Sequence, residues 1–215
     1  MTLHGWNLDA GAGQKKNNFT KFPEGITRIR ILDSAPFMRW THWLPQFSRK
    51  ITCPGFGCQI DELIKKQKAE GATPTYGTSR AFSLNIYNHD TQQREIMEEG
   101  VTMFEQLKNA IEDAIEDNPG KGINDFIFKV RKRMGGNGRA TWTVSLDSVS
   151  DLTENETTAQ LEKVDLAEMF KAPTIEQMQD LLLVQASSKD EYVKRYNEIM
   201  GYVKQEDGNL GIETE

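Results

Sequence analysis

Asp125-Phe126-Ile127-Phe128-Lys129-Val130-Arg131-Lys132-Arg133, then Met134-Gly135-Gly136-Asn137-Gly138, then Arg139-Ala140-Thr141-Trp142-Thr143-Val144-Ser145-Leu146: this stretch sets the reading of the chain. Two runs alternate with period two on either side of a glycine-rich loop, which is the signature of a hairpin with one buried face. Phe126, Phe128 and Val130 share the first core face, and Trp142, Val144 and Leu146 share the second. The opposite face of the first run carries Lys129, Arg131 and Arg133, with Lys132 beside them and Arg139 just past the loop. That cluster is denser than solubility requires, so it reads as a site for a polyanion.

The same alternation recurs upstream. In Thr27-Arg28-Ile29-Arg30-Ile31, the isoleucines face one way and Arg28 and Arg30 the other. Met38–Leu44 and Ser79–Asn88 read as strands, and Phe47–Thr52 as a short extended segment. Val101, Phe104, Leu107, Ile111 and Ile115 recur at helical spacing after Gly100, and Asn118-Pro119-Gly120 ends that helix. The order is β-β-insertion-β-α-β-β. It matches an OB-fold, a five-stranded Greek-key barrel with its helix between strands three and four. The expected class is therefore mainly β with a helical extension.

Charge divides the 215 residues in the same place. Residues 1–150 carry 20 Lys+Arg against 17 Asp+Glu, a balance of +3, and residues 151–215 carry 6 against 15, a balance of −9. The net −6 thus conceals a basic body and an acidic end. Three segments are expected: a flexible arm over 1–22, a domain over 23–150 with an insertion at 47–79, and an acidic helical region over 151–215 with a disordered tip. In the last, 151–158 reads as a linker. Asp165…Glu168, Thr174…Gln177 and Ser188…Glu191 have the spacing of capping boxes.

Mean hydropathy is −0.61 and no apolar run approaches the roughly 20 residues of a membrane span. Residues 1–16 lack an apolar core and a small-residue cleavage site, so no secretory leader is expected. Two cysteines do not make a disulfide framework, and a cytoplasmic setting is the expectation. No nucleophile–base pattern surrounds the three histidines, and the glycine loop lacks a Walker Lys-Ser/Thr. An enzyme is not expected.

Single-strand binders combine cations along the backbone path with flat π surfaces for bases. The candidates are Arg28, Arg30, Phe37, Arg39, Trp43, Arg49, Lys50, Arg80, Tyr87, Lys129, Arg131, Lys132, Arg133 and Arg139. Trp40, Phe82, Phe128 and Trp142 alternate with core positions and are read as packing. His42, Cys53, Cys58 and Asp61 form a separate set, His-x10-Cys-x4-Cys-x2-Asp, with donors that suit a structural zinc. Two reduced cysteines packed in a Pro/Gly loop are the competing reading.

Phe22-Pro23-Glu24-Gly25 leading into Arg28-Ile29-Arg30-Ile31-Leu32, then Pro36 to Trp43, the Cys53-Pro54-Gly55 to Cys58 loop, Lys129 to Lys132 and Thr141 to Val144 together resemble the single-stranded DNA-binding proteins of tailed bacteriophages. The resemblance covers about residues 20–150. It implies an OB-fold, sequence-independent single-stranded DNA binding in replication and recombination, and an acidic C-terminal region that contacts replication proteins. Some members carry a zinc knuckle of one His and three Cys. His42, Cys53 and Cys58 match its first three positions, and Asp61 departs from the fourth. The alternatives are an RNA-binding OB module and an adaptor acting through its helical acidic tail.

Overall fold

The computed structural model describes residues 18–136, 138–204 and 210–212, and the side chains of 18–136 and 138–201. The chain folds as a mixed α/β protein with seven strands in one open, mostly antiparallel sheet. It divides into two compact units.

The first unit comprises Asn18–Met38 and Ala81–Met169. It holds β1 (Gly25–Ile31), most of β4 (Gly77–Asn88), β5 (Gln93–Glu99), α2 (Val101–Asp117), β6 (Phe126–Met134) and β7 (Ala140–Val149). Its strands run antiparallel in the order β5-β4-β1-β6-β7. Ile29, Ile31, Leu84, Ile86, Met97, Phe126, Phe128, Val130 and Val144 form the sheet's share of the core. Met103, Phe104, Leu107, Ala110 and Ala114 bury one stripe of α2 in the same cluster.

The sequence reading has no strand at Gln93–Glu99. Adjacent Ile96 and Met97 are both fully buried, so the segment lacks the alternation that marks a half-exposed strand. The outer edge of β5 is covered by a parallel bridge: Thr20 N donates to Ile96 O and Ile96 N donates to Asn18 O. Phe22 lies in the core. The end of the expected arm is therefore built into this unit, and residues 1–17 of that expectation lie outside the described residues.

The expected linker at 151–158 is corrected to a helix, α3 (Glu154–Leu161), opened by a Thr153…Glu156 capping box. A short α4 follows (Leu166–Met169). Asn85 holds the turn between them, donating through Nδ2 to Val164 O and accepting at Oδ1 from Val164 N.

The second unit comprises Arg39–Arg80 and the described residues from Phe170 onward. Most of β2 (Phe37–Leu44), a 3-10 turn at Pro45–Phe47, β3 (Arg49–Thr52) and α1 (Gln59–Ala69) lie here with α5 (Ile175–Leu183) and α6 (Lys189–Ile199). Leu44, Phe47, Ile51, Cys58, Ile60, Ile64, Met178, Leu181 and Tyr196 form its core. The expected insertion and the last helices of the acidic region thus share one core, because the apolar stripes of α5 and α1 need each other for burial. The Thr174 cap and the Ser188 cap both form. Beyond α6, β8 (Tyr202–Lys204) pairs antiparallel with β9 (Leu210–Ile212), and β9 falls within the segment expected to be a disordered tip. Residues 205–209 and 213–215 of that expectation lie outside the described residues.

Candidate nucleic-acid interface and metal centre

The register of the first unit places its cations in rows. Ile26 pairs with Arg131 and Arg131 with Thr143; Arg28 pairs with Lys129 and Lys129 with Ser145; Arg133 pairs with Thr141. Strand side chains alternate, so these residues share the face turned away from the core. Ile26, Lys129, Arg131, Arg133, Thr143 and Ser145 line a concavity of about 280 Å³. Arg131 and Arg133 are exposed and make no ion pair among the described residues. Three cations, two hydroxyls and one apolar side chain suit a phosphate path beside a base.

One carboxylate restrains the row. Asp147 pairs with Lys129 Nζ, and Arg28 Nε donates to Asp147 Oδ2 at 3.0 Å. The Lys129 hydrogen bond, then Arg28, holds the Asp147 carboxyl below its ordinary range against some burial. β7 reaches this position through an irregular register at Ile127/Phe128, which leaves Asp147 without a cross-strand partner of its own.

Arg30 and Tyr87 are buried and do not share this exposed face. Arg30 lies on the same face of β1 as Arg28, yet it has no exposed surface because α3 covers it. Its Nε donates to Glu156 Oε1 at 2.6 Å, Nη1 to Asn124 O and Ser150 O, and Nη2 to Ser150 Oγ. Tyr87 is buried in a small cluster with Leu32 and Ala159. Both assignments are corrected: alternation locates a face but not the helix that covers it. Lys132 sits on the core side, donating to Phe22 O and lying 5.4 Å from the Trp142 ring centroid. Phe37 is half-buried and Arg139 is exposed.

The remaining candidates fall in the second unit. Arg39 is buried, with its guanidinium 3.5 Å from the Phe170 ring centroid, so it too is corrected from contact to core. Arg49 is half-buried over Tyr196 at 4.7 Å. Lys50 is exposed and pairs across the ladder with the exposed Trp43. Arg80 is exposed, and it lies over Trp40 at 5.8 Å. Trp40 alternates with core positions, which predicts packing, but 51% of it is exposed.

His42, Cys53, Cys58 and Asp61 converge in this second unit, with one donor atom from each all within 4.8 Å of one another. Cys58 Sγ is 3.3 Å from His42 Nε2, Cys53 Sγ donates to Asp61 Oδ2 at 3.4 Å, and His42 Nε2 is 4.0 Å from Asp61 Oδ1. Four such ligands around a tetrahedral zinc stand about 3.3–3.8 Å apart, so a donor set gathered within 4.8 Å is compatible with the ion. Gly55 N donates to Cys53 Sγ at 3.3 Å, a bond that favours thiolate. Gly55 and Gly57 both adopt positive φ, which lets the loop turn Cys53 and Cys58 toward one point. His42 Nδ1 is 3.3 Å from Thr78 Oγ1, which also donates to Asp61 Oδ1, so one hydroxyl orients two donors. Burial lowers the His42 pKa, against the opposing charge of Asp61, and keeps the imidazole in its ligating neutral form. Burial pushes the Cys53 thiol up to about 12.

No helix among the described residues is long and apolar enough to cross a membrane. No family model, curated protein or solved structure matches the chain.

Proposed function

We propose that the chain binds single-stranded DNA without sequence preference, laying phosphates along the outer face of β1, β6 and β7. The observation that carries this reading is the Arg131–Arg133 pair. These are two exposed guanidiniums on one strand face, with no acidic partner among the described residues, at a concavity edged by Thr143 and Ser145. Guanidinium recognises phosphate by paired hydrogen bonds, and hydroxyls add neutral donors. Ile26, 40% exposed, offers an apolar surface to a base. The adjacency β5-β4-β1-β6-β7, with α2 between β5 and β6, supports an OB-type arrangement, a fold that commonly binds strands on such a face. The cage of His42, Cys53, Cys58 and Asp61 would hold a structural zinc that ties the loop to β2 and α1.

Tryptophan quenching with oligo-dT at two salt concentrations tests the reading. Tight binding at low salt, weaker binding to duplex and a steep salt dependence are expected. Replacing Arg131 and Arg133 together by Gln should lower the salt slope by about 1.4, at about 0.7 per phosphate contact on a single strand. No binding at low salt sinks the proposal. A matched oligo-U titration separates DNA from RNA preference, since π faces and phosphates occur in both.

A further inference from the structure

We propose that Trp40 and Arg80 form a second subsite for the same single-stranded polymer: a base stacks on the indole while the guanidinium meets the adjoining phosphate. The proposal rests on the single-strand reading above, and it places this contact on the unit that carries the four-donor cage.

Trp40 is half exposed although it stands two residues before the fully buried His42 on the same face of β2. Indole offers a large π surface, and stacking on aromatics tolerates any base. The Arg80 guanidinium lies 5.8 Å from the ring centroid and makes no ion pair among the described residues. Its charge is therefore available to a phosphate. An aromatic flanked by such a cation carries both elements that single-strand sites use.

Both residues are held at the backbone. Trp40 O accepts from Cys53 N at 2.8 Å, so a cage residue fixes the strand at the indole. Thr41 Oγ1 donates to Ser79 O at 3.1 Å and also lies 3.0 Å from Ser79 Oγ, which ties the position after Trp40 to the position before Arg80. A platform held in this way loses less conformational freedom on binding than a side chain on a mobile loop. Lone exposed apolar side chains are common, so the competing reading is a surface tryptophan that only shields β2.

The test uses the full chain and oligo-dT of about 8 and about 16 nucleotides, lengths within the range that single-strand sites span. Trp40→Leu should weaken binding of the longer oligomer about 5- to 100-fold, and Trp40→Phe should restore most of it. Arg80→Gln should lower the salt slope by about 0.7, a readout that shielding would not move. If Trp40→Leu fails to fold by circular dichroism, Arg80→Gln decides. Wild-type affinity in Trp40→Leu with a wild-type slope in Arg80→Gln overturns the subsite, and leaves the β1, β6 and β7 face standing if the Arg131/Arg133 variant still loses affinity. Equal losses in Trp40→Leu and Trp40→Phe with an unchanged Arg80→Gln slope assign Trp40 to packing and also overturn it. A wild-type chain that binds no oligo-dT removes the single-strand reading and this proposal together.

Discussion

Arg30 Nε donates to Glu156 Oε1 at 2.6 Å, and neither side chain has any exposed surface. A buried pair adds little net stability over apolar packing, but breaking it strands a charge. Glu156→Gln keeps a residue able to close the capping box with Thr153 and removes only the negative charge. It should destabilise the fold by about 3–5 kcal/mol in denaturant unfolding. The salt slope of oligo-dT binding should not change, because Arg30 faces α3 and not the solvent-facing row. A reduced slope in folded Arg30→Met protein would return Arg30 to the interface.

His89 Nε2 lies 3.2 Å from the same Glu156 oxygen, and this gives the latch a pH dependence. Burial lowers the His89 pKa despite the opposing pull of Glu156. For Glu156, burial pushes upward, but the Thr153 hydrogen bonds and Arg30 outweigh it and hold the carboxyl low. Both groups therefore bind fewer protons in the folded state than in the unfolded state, so stability falls as pH falls. The His89 part is present above its unfolded value of 6.5 and is lost as pH drops through the lowered folded value. The Glu156 part is present above 4.5 and is lost in the same way at more acidic pH. Denaturant midpoints measured across this range should fall in two steps. His89→Gln should remove the upper step alone.

This latch also marks where sequence reading stops. The hairpin at 126–149 and the helix at 101–117 were legible because each obeys one periodicity. Gln93–Glu99 was not, because Ile96 and Met97 are buried on opposite faces and the flanking residues are charged. On β6, period two found the shared face of Lys129, Arg131 and Arg133. It also put Arg30 there, since a strand cannot announce which of its exposed positions a later helix will cover. The Thr153…Glu156 box was the available signal: capping spacing two residues after Asp151 indicates a helix start where a linker was read. Trp40 was misread for the opposite reason. Its alternation with His42 and Leu44 is real, but the core ends before it. The four-donor set was legible in full, because its cysteine spacing and glycine loop are local.

Asp147 pairs with Lys129 and Arg28, two cations that under the proposed single-strand reading would otherwise meet phosphate. Asp147→Asn frees Lys129 and Arg28, whose pairing with it holds its carboxyl low. Oligo-dT affinity should rise, and the salt slope should steepen by up to about 1.4 as two further cations join the path. Fluorescence titration at several salt concentrations reads both quantities. An unchanged slope would mean that the strand does not reach the Arg28–Lys129 row.

The cage gives a further expectation, independent of nucleic acid. A zinc site needs thiolates, and burial keeps the Cys53 thiol protonated in the metal-free state, with its pKa raised to about 12. Loading zinc into chelator-stripped protein near pH 7 must therefore release about 1–2 protons, seen as a calorimetric enthalpy that varies with buffer ionisation. Cys58→Ser should abolish that release and lower the melting temperature, since Cys58 is 2% exposed in the core that joins α1 to α5. Asp61→Cys should bind zinc more tightly than the wild type, because a third thiolate suits the ion better than an oxygen in a closed site. Cobalt loading distinguishes the two sets by the stronger thiolate charge-transfer band expected of the three-cysteine form. Protein purified without chelator that holds no metal, and melts as the stripped form does, would reduce the four residues to packing.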